Sequence, residues 1–187
     1  MSRPVAEVEL LYSAGEIATR VAELAVAIAA ELGKEPTIVA ILKGSFVFSA
    51  DLMRALHAEG VHPRIDFMML SSYGAGTESR GTVQVLRDIT DDVTGRPVLL
   101  VDDILESGRT LSYARQRLLE AGAARVEVCV LLEKPGKRKA EVDAQFVGFV
   151  TPDLFVVGYG LDYAHYYREL PYIGVVKRET EGREGGG

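Results

Sequence analysis

Three carboxylates, Asp102, Asp103 and Glu106, fall within five positions directly after the apolar run Val98-Leu-Leu-Val101. Like charges this close repel and cost stability unless a metal ion, the hydroxyls of a ligand or a proton-transfer role uses them. Ser107, Gly108, Arg109 and Thr110 follow at once. Hydroxyls, a flexible backbone and a guanidinium at the start of a helix suit a phosphate. An acidic site thus abuts an anion site within nine residues. A phosphorylated sugar would satisfy both, its phosphate at one end and its hydroxyls at the other. The plainer alternative is an acidic cap on a solvated helix start, and caps rarely need three acids.

Two further segments have the same design. Lys43-Gly44-Ser45 follows the apolar run Thr37–Leu42. There a cation and a residue without a side chain precede a helix, so an anion can approach the backbone closely. Alone, this is an ordinary strand-to-helix turn. Glu133-Lys134-Pro135-Gly136 follows the largely apolar stretch Val126–Leu132. Lys134 could donate to an exocyclic oxygen of a ligand. It could equally point into solvent beside Lys137, Arg138 and Lys139, which look like a solvated basic loop.

These segments need elements to hold them. Ser13-Ala-Gly-Glu16 fits a capping box, and Ile17, Val21, Leu24, Ile28 and Leu32 follow at helical spacing until Gly33. The runs at 37–42, 98–101 and 126–132 read as strands buried on both faces. Helical patterns at 46–57 and 111–119 separate them, and Ile65, Phe67 and Met69 alternate as in a strand. Residues 71–82, with three glycines and both charge signs, read as a mobile loop before a strand at 83–86. Buried strands alternating with helices predict an α/β fold with a mainly parallel sheet flanked by helices. Ligands of such sheets bind beyond the carboxyl ends of the strands, where the three chemical segments fall.

Composition sets the outer bounds. The chain has 187 residues, 48% hydrophobic and 26% charged, as expected of one globular domain spanning 1–176. Its formal charge of −6 argues against a general nucleic-acid binder. The single cysteine, Cys129, excludes an internal disulfide and reads as a packing residue. No apolar stretch is long enough to cross a bilayer, and MSRPVAEVEL lacks the apolar core of a secretory signal, so a cytoplasmic location without membrane partners is expected. The tail 177–187 alternates charges, ends in three glycines and reads as disordered.

Val98 to Leu111 resembles the phosphoribosyl pyrophosphate (PRPP) signature of type I phosphoribosyltransferases. Ile41-Leu-Lys-Gly44, Leu70-Ser-Ser-Tyr73, Leu131-Leu-Glu-Lys134, Phe146-Val-Gly-Phe149, Phe155-Val-Val-Gly-Tyr-Gly-Leu-Asp-Tyr163 and Tyr167-Arg168 occur in the right order. Together, from about residue 10 to 176, they resemble the hypoxanthine-guanine phosphoribosyltransferases, and FVVGYGLDY is the most discriminating stretch. The resemblance implies that family's fold, with a small hood formed by the chain ends over the site. It also implies transfer of the phosphoribosyl group of PRPP to hypoxanthine or guanine, in purine salvage, with Mg²⁺ as cofactor.

Residue by residue, the resemblance implies that Asp102 and Asp103 bind the ribose hydroxyls and, with Asp162, attend the metal. Ser107, Gly108, Arg109 and Thr110 would hold the 5′-phosphate. Lys43, Gly44 and Arg168 would meet the pyrophosphate, with a cis Leu42–Lys43 peptide. In the purine segment 145–170, Phe155 would stack on the base, the Val156 backbone would read its edge, and Asp162 would lie near its 2-position. Lys134 would donate to the 6-oxo group, which disfavours adenine. Loop 71–82 would be a lid, with Ser72 and Tyr73 its working residues. Glu106 would manage the proton at purine N7. The family usually has Asp there, and the extra methylene changes the reach by about one bond length, where ~1 Å matters to catalysis. A homodimer or homotetramer is expected. The competing readings are a PRPP-sensing regulator that binds nucleic acid and an enzyme for another base, xanthine above all.

Overall fold

A computed structural model describes residues 4–73 and 82–177. Its elements run β1 (Glu7–Tyr12), α1 (Ala14–Leu32), β2 (Thr37–Leu42), α2 (Phe46–Ala58), β3 (Arg64–Tyr73), β4 (Thr82–Arg87), β5 (Pro97–Leu105), α3 (Arg109–Glu120), β6 (Arg125–Glu133), β7 (Phe146–Val150), β8 (Val156–Val157) and β9 (Ile173–Lys177). Six strands form the main sheet in the order β4-β3-β2-β5-β6-β7. All its pairs are parallel except β3–β4. A second sheet, antiparallel and in the order β1-β9-β8, joins the two ends of the chain.

Local chemistry explains the first helix. The Ser13 hydroxyl accepts from the Glu16 N–H at 3.3 Å, and the Glu16 carboxylate accepts from the Ser13 N–H at 2.8 Å. This capping box satisfies two donors that the helix itself cannot. Ile17, Val21, Leu24, Ala25, Ile28 and Leu32 then lie buried along one face. Each large one contributes about 1.5–3 kcal/mol relative to exposure.

The central strands alternate between two apolar layers. Ile38, Ala40, Leu99, Val101, Cys129 and Leu131 face α1 and α2. Val39, Ile41, Val98, Leu100, Val128 and Val130 face α3. β2 and β5 lie side by side in register from Thr37↔Val98 to Ala40↔Val101. From β2 the chain crosses through α2 to β3, and from β5 through α3 to β6, on the other side. The carboxyl ends of β2 and β5 therefore diverge, and a crevice opens between them.

Three boundaries and one whole strand differ from the sequence expectations. β5 runs to Leu105, so Asp102 and Asp103 are strand residues paired alongside β6 rather than a loop after the strand. β3 continues through Ser72 and Tyr73, paired with Val83 and Thr82, so the two expected lid residues belong to a strand. Residues 74–81 of the expected lid lie outside the described residues. Lys177, expected in the tail, closes β9 opposite Glu7, and 178–187 lie outside the described residues. β1 was not expected at all: EVELLY is only partly buried, and its partner β9 is more than 160 residues away in the chain. No helix among the described residues is long and apolar enough to cross a membrane.

Candidate functional site

The crevice is a cavity of about 470 Å³ lined from both diverging strand ends. Lys43 and Gly44 come from the end of β2, Asp102 to Thr110 (apart from Arg109) from the end of β5 and the turn into α3, and Asp162 and Arg168 from the C-terminal segment. Leu42–Lys43 is a cis peptide. Gly44 lies so close to Asp103 that a Cβ there would collide with its carboxylate. Gly160, at φ +100°, packs over the same turn, and a Cβ there would strike the Gly44 carbonyl.

Asp102 and Asp103 sit side by side at the floor. The Asp103 N–H donates to the Asp102 carboxylate at 2.9 Å, and the Ile104 N–H to that of Asp103 at 2.9 Å. Burial, and then the neighbouring carboxylate, push Asp102 well above the ordinary aspartate range, and burial pushes Asp103 up as well. Two adjacent hard oxygen donors, both disfavoured as bare anions, fit a divalent cation that takes its other ligands from a substrate. Asp162, expected as a third metal carboxylate, lines the same cavity, but both its oxygens are occupied. One pairs with Arg168 at 2.7 Å and the other accepts from the His165 N–H at 2.8 Å. Arg168 also donates to the Gly160 carbonyl at 2.6 Å, which ties the cation to the turn that covers Gly44.

Beyond the acids, Gly108 adopts a left-handed φ of +77° and begins α3 with no side-chain cap. The Arg109 N–H donates to the Ser107 hydroxyl oxygen at a long 3.4 Å, so an anion can take up the N–H groups of the first turn and the hydroxyls of Ser107 and Thr110. Arg109 departs from its expected part: its side chain is exposed and does not line the cavity.

A second set of groups adjoins the first. Lys134 is buried, its ammonium 3.8 Å from Glu106 and 4.0 Å from Asp153. It does not point into solvent, and Lys137 and Arg138 beside it are paired with acids. Lys137 lies 3.2 Å from Glu106 and 2.6 Å from Asp153, and Arg138 pairs with Glu133 at 2.5 Å. Phe155 is 45% exposed, with the Tyr163 ring edge-on at 5.4 Å. Its open face can take a flat ring. The Val176 N–H donates to the Phe155 carbonyl, which makes Val156 and Val175 a non-hydrogen-bonded pair. The N–H and C=O of Val156 therefore turn to the open edge of β8, away from β9.

One end of the site thus offers a phosphate cradle and an acid pair, and the other a lysine–carboxylate pair under an aromatic face. A model of the phosphoribosyl transferase domain matches residues 7–164. The chain belongs to the phosphoribosyltransferase family. It is 44% identical over 172 residues to the hypoxanthine phosphoribosyltransferase of Salmonella typhimurium, covering 90% of this chain and 95% of that protein. It is 47% identical over 148 residues to the hypoxanthine-guanine phosphoribosyltransferase of Streptococcus pneumoniae, covering 79% and 81%. The crystal structure of a hypoxanthine phosphoribosyltransferase from Staphylococcus aureus superposes with a TM-score of 0.86 at 42% identity, covering 93% and 94%. The fold of this family member is accordingly the type I phosphoribosyltransferase fold.

Sequence reasoning missed Lys137 and Asp153. Lys137 sits among basic residues that look solvated, although the Pro135-Gly136 turn before it, with Gly136 at φ +88°, is a signal that the chain doubles back. Asp153 lies in a turn, and its partners Lys137 and Lys134 are 16 and 19 residues away.

Proposed function

We propose that the chain is a purine salvage enzyme that transfers the 5-phosphoribosyl group of PRPP to hypoxanthine or guanine, forming IMP or GMP and pyrophosphate. The observation that carries this reading is the buried Lys134 ammonium 3.8 Å from the Glu106 carboxylate, beside the crevice of about 470 Å³. A 6-oxopurine presents an acceptor at O6 and a proton at N7 on one edge, which matches a donor and a carboxylate at that spacing.

Ser107, Gly108 and Thr110 hold the 5′-phosphate, with the backbone of Arg109. Asp102 and Asp103 accept from the ribose hydroxyls. Lys43, Gly44 and Arg168 engage the pyrophosphate. As its bond to C1′ breaks, positive charge develops on the ribose and the purine N9 closes on C1′. Phe155 stacks on the base and the Val156 backbone reads its edge, with the Asp162 backbone near the 2-position. Lys134 donates to O6, and Glu106 takes the N7 proton as the base becomes a nucleotide. Adenine carries a donor in place of O6, so Lys134 selects against it. Ser72 and Tyr73 lead into the lid that keeps water from the ribosyl cation. Mg²⁺ fits the site: Asp102 and Asp103 would hold it with substrate oxygens, and it would neutralise the leaving group. Asp162 joins that set only by releasing Arg168. A cytoplasmic location and assembly as a homodimer or homotetramer belong to the same reading.

The test is an ultraviolet assay with PRPP and Mg²⁺, offering hypoxanthine, guanine, xanthine, adenine and uracil separately. Mg²⁺-dependent nucleotide formation from hypoxanthine or guanine, lost in Glu106→Gln, is the expected result. No turnover with any base while PRPP still binds would overturn it and favour a PRPP-sensing regulator.

A further inference from the structure

Lys137 has no part in the mechanism above, yet it makes the closest ion pair to the carboxylate on which that mechanism turns. Four side chains form a closed ring: Glu106 and Asp153 each direct one oxygen at Lys134 and the other at Lys137. The two lysines are not equivalent. Lys134 is 8% exposed and stands off both carboxylates at 3.8 and 4.0 Å, so its ammonium is poised but not committed. Lys137 is 42% exposed and holds Glu106 Oε1 at 3.2 Å and Asp153 Oδ2 at 2.6 Å. The carboxylate edge that Lys137 leaves open, Oε2, is the one beside Lys134.

A glutamate needs this more than an aspartate would. Its carboxylate is set by three torsions rather than two, and each staggered torsion offers alternative wells. An unanchored Glu106 would spend much of its time away from the proton it must move, and ~1 Å of misplacement can cost 100-fold in rate.

The Lys137 side chain is not required to hold its own loop. The Lys134 N–H donates to the Leu105 carbonyl, and the N–H groups of Lys139 and Ala140 both donate to the Ser107 carbonyl. Arg138 pairs with Glu133 and donates to the Val142 carbonyl at 2.9 Å. The 133–142 segment is thus fastened to the backbone on both sides of Glu106 without Lys137. An ion pair as exposed as Lys137–Asp153 also contributes little to folding. What remains for the Lys137 ammonium is the orientation of Glu106.

We infer that Lys137, steadied by Asp153, is a positioning residue that anchors Oε1 of Glu106 so that Oε2 meets the purine N7 beside Lys134. The inference rests on Glu106 being the proton-transfer group. It also accounts for how a glutamate, one methylene longer than the acid the resemblance leads one to expect, is held in place: a second lysine fixes its far oxygen.

The experiment is steady-state kinetics with PRPP and either hypoxanthine or guanine on the wild type, Lys137→Met, Lys137→Arg, Glu106→Gln, Glu106→Asp and the Glu106→Asp/Lys137→Met double variant. Melting temperatures establish that each is folded. Lys137→Met is expected to lower kcat about 10- to 100-fold, with both KM values within about twofold. Lys137→Arg restores most of the loss, because a guanidinium can also bridge two carboxylates. In the Glu106→Asp background the shorter carboxylate no longer reaches Lys137, so adding Lys137→Met costs less than about twofold. An unchanged kcat in Lys137→Met, a rise in KM instead, or the same loss in both backgrounds overturns the inference. If Glu106→Gln keeps wild-type kcat, the mechanism beneath it has failed, which is read separately from the Lys137 variants.

Discussion

On the proposed pairing of Lys134 with the purine O6, replacing this lysine by methionine isolates base recognition from everything else in the site. The lysine is 8% exposed, and methionine has nearly the same length and flexibility, so the space stays filled. The ammonium's carboxylate neighbours, at 3.8 and 4.0 Å, remain bridged by Lys137, so its removal strands no buried acid. What is lost is one charge-assisted hydrogen bond to the purine O6, worth about 1.5–3 kcal/mol. At about 1.4 kcal/mol per factor of ten, kcat/KM for hypoxanthine should fall roughly 10- to 150-fold. Adenine loses nothing, because its amino group faced a donor in the wild type. The hypoxanthine-to-adenine ratio should therefore fall by at least about tenfold. KM for PRPP should be unchanged, since Lys134 does not line the crevice. Both ratios come from one spectrophotometric series at saturating PRPP. An equal loss for the two bases, or a loss carried by KM for PRPP, would refute the assignment of Lys134 to O6.

Gly160→Ala should damage PRPP use more than base use. Alanine at φ +100° is strained, by about 1–2 kcal/mol, and its Cβ strikes the Gly44 carbonyl, so KM for PRPP rises while the protein stays folded. The buried acid pair predicts a pH effect with a definite sign. Asp102 binds its proton more tightly folded than unfolded, so its contribution to stability is present at low pH and is lost as pH rises from its ordinary 3.8 through its raised folded value. Metal-free Asp102→Asn should accordingly melt above the wild type at pH 8, with the gap closing toward pH 4. A gap that widens on acidification would contradict the burial argument.

The helices and central strands were legible because their signals are local. The Ser13–Glu16 box and the spacing from Ile17 to Leu32 need no tertiary knowledge. Uninterrupted apolar runs at 38–42 and 128–132 are what burial on both faces requires. The acids that carry the PRPP signature were legible in type and order, but not as part of a strand. Asp102 and Asp103 look like a strand's end, and only the parallel register with β6, which continues to Leu105↔Glu133, keeps them in the sheet. β1 was hidden because its pairing depends on β9. Lys137 and Asp153 were hidden for a related reason: the ring they close draws on the end of β5, the turn after β6 and the turn after β7, and no window along the chain contains all three.

The small sheet that joins the chain ends makes the timing of synthesis matter. The main sheet and the phosphate cradle are complete once β7 has emerged, near residue 150. The wall proposed to meet the base is not. β8 hangs on β9, which ends at Lys177, and β9 is held in turn by β1, made before the main sheet. A nascent chain therefore forms the proposed sugar-phosphate pocket, and brings Lys134 beside it, before anything stacks on a base. The aromatic wall is acquired last, in a single closure between β1 and β9.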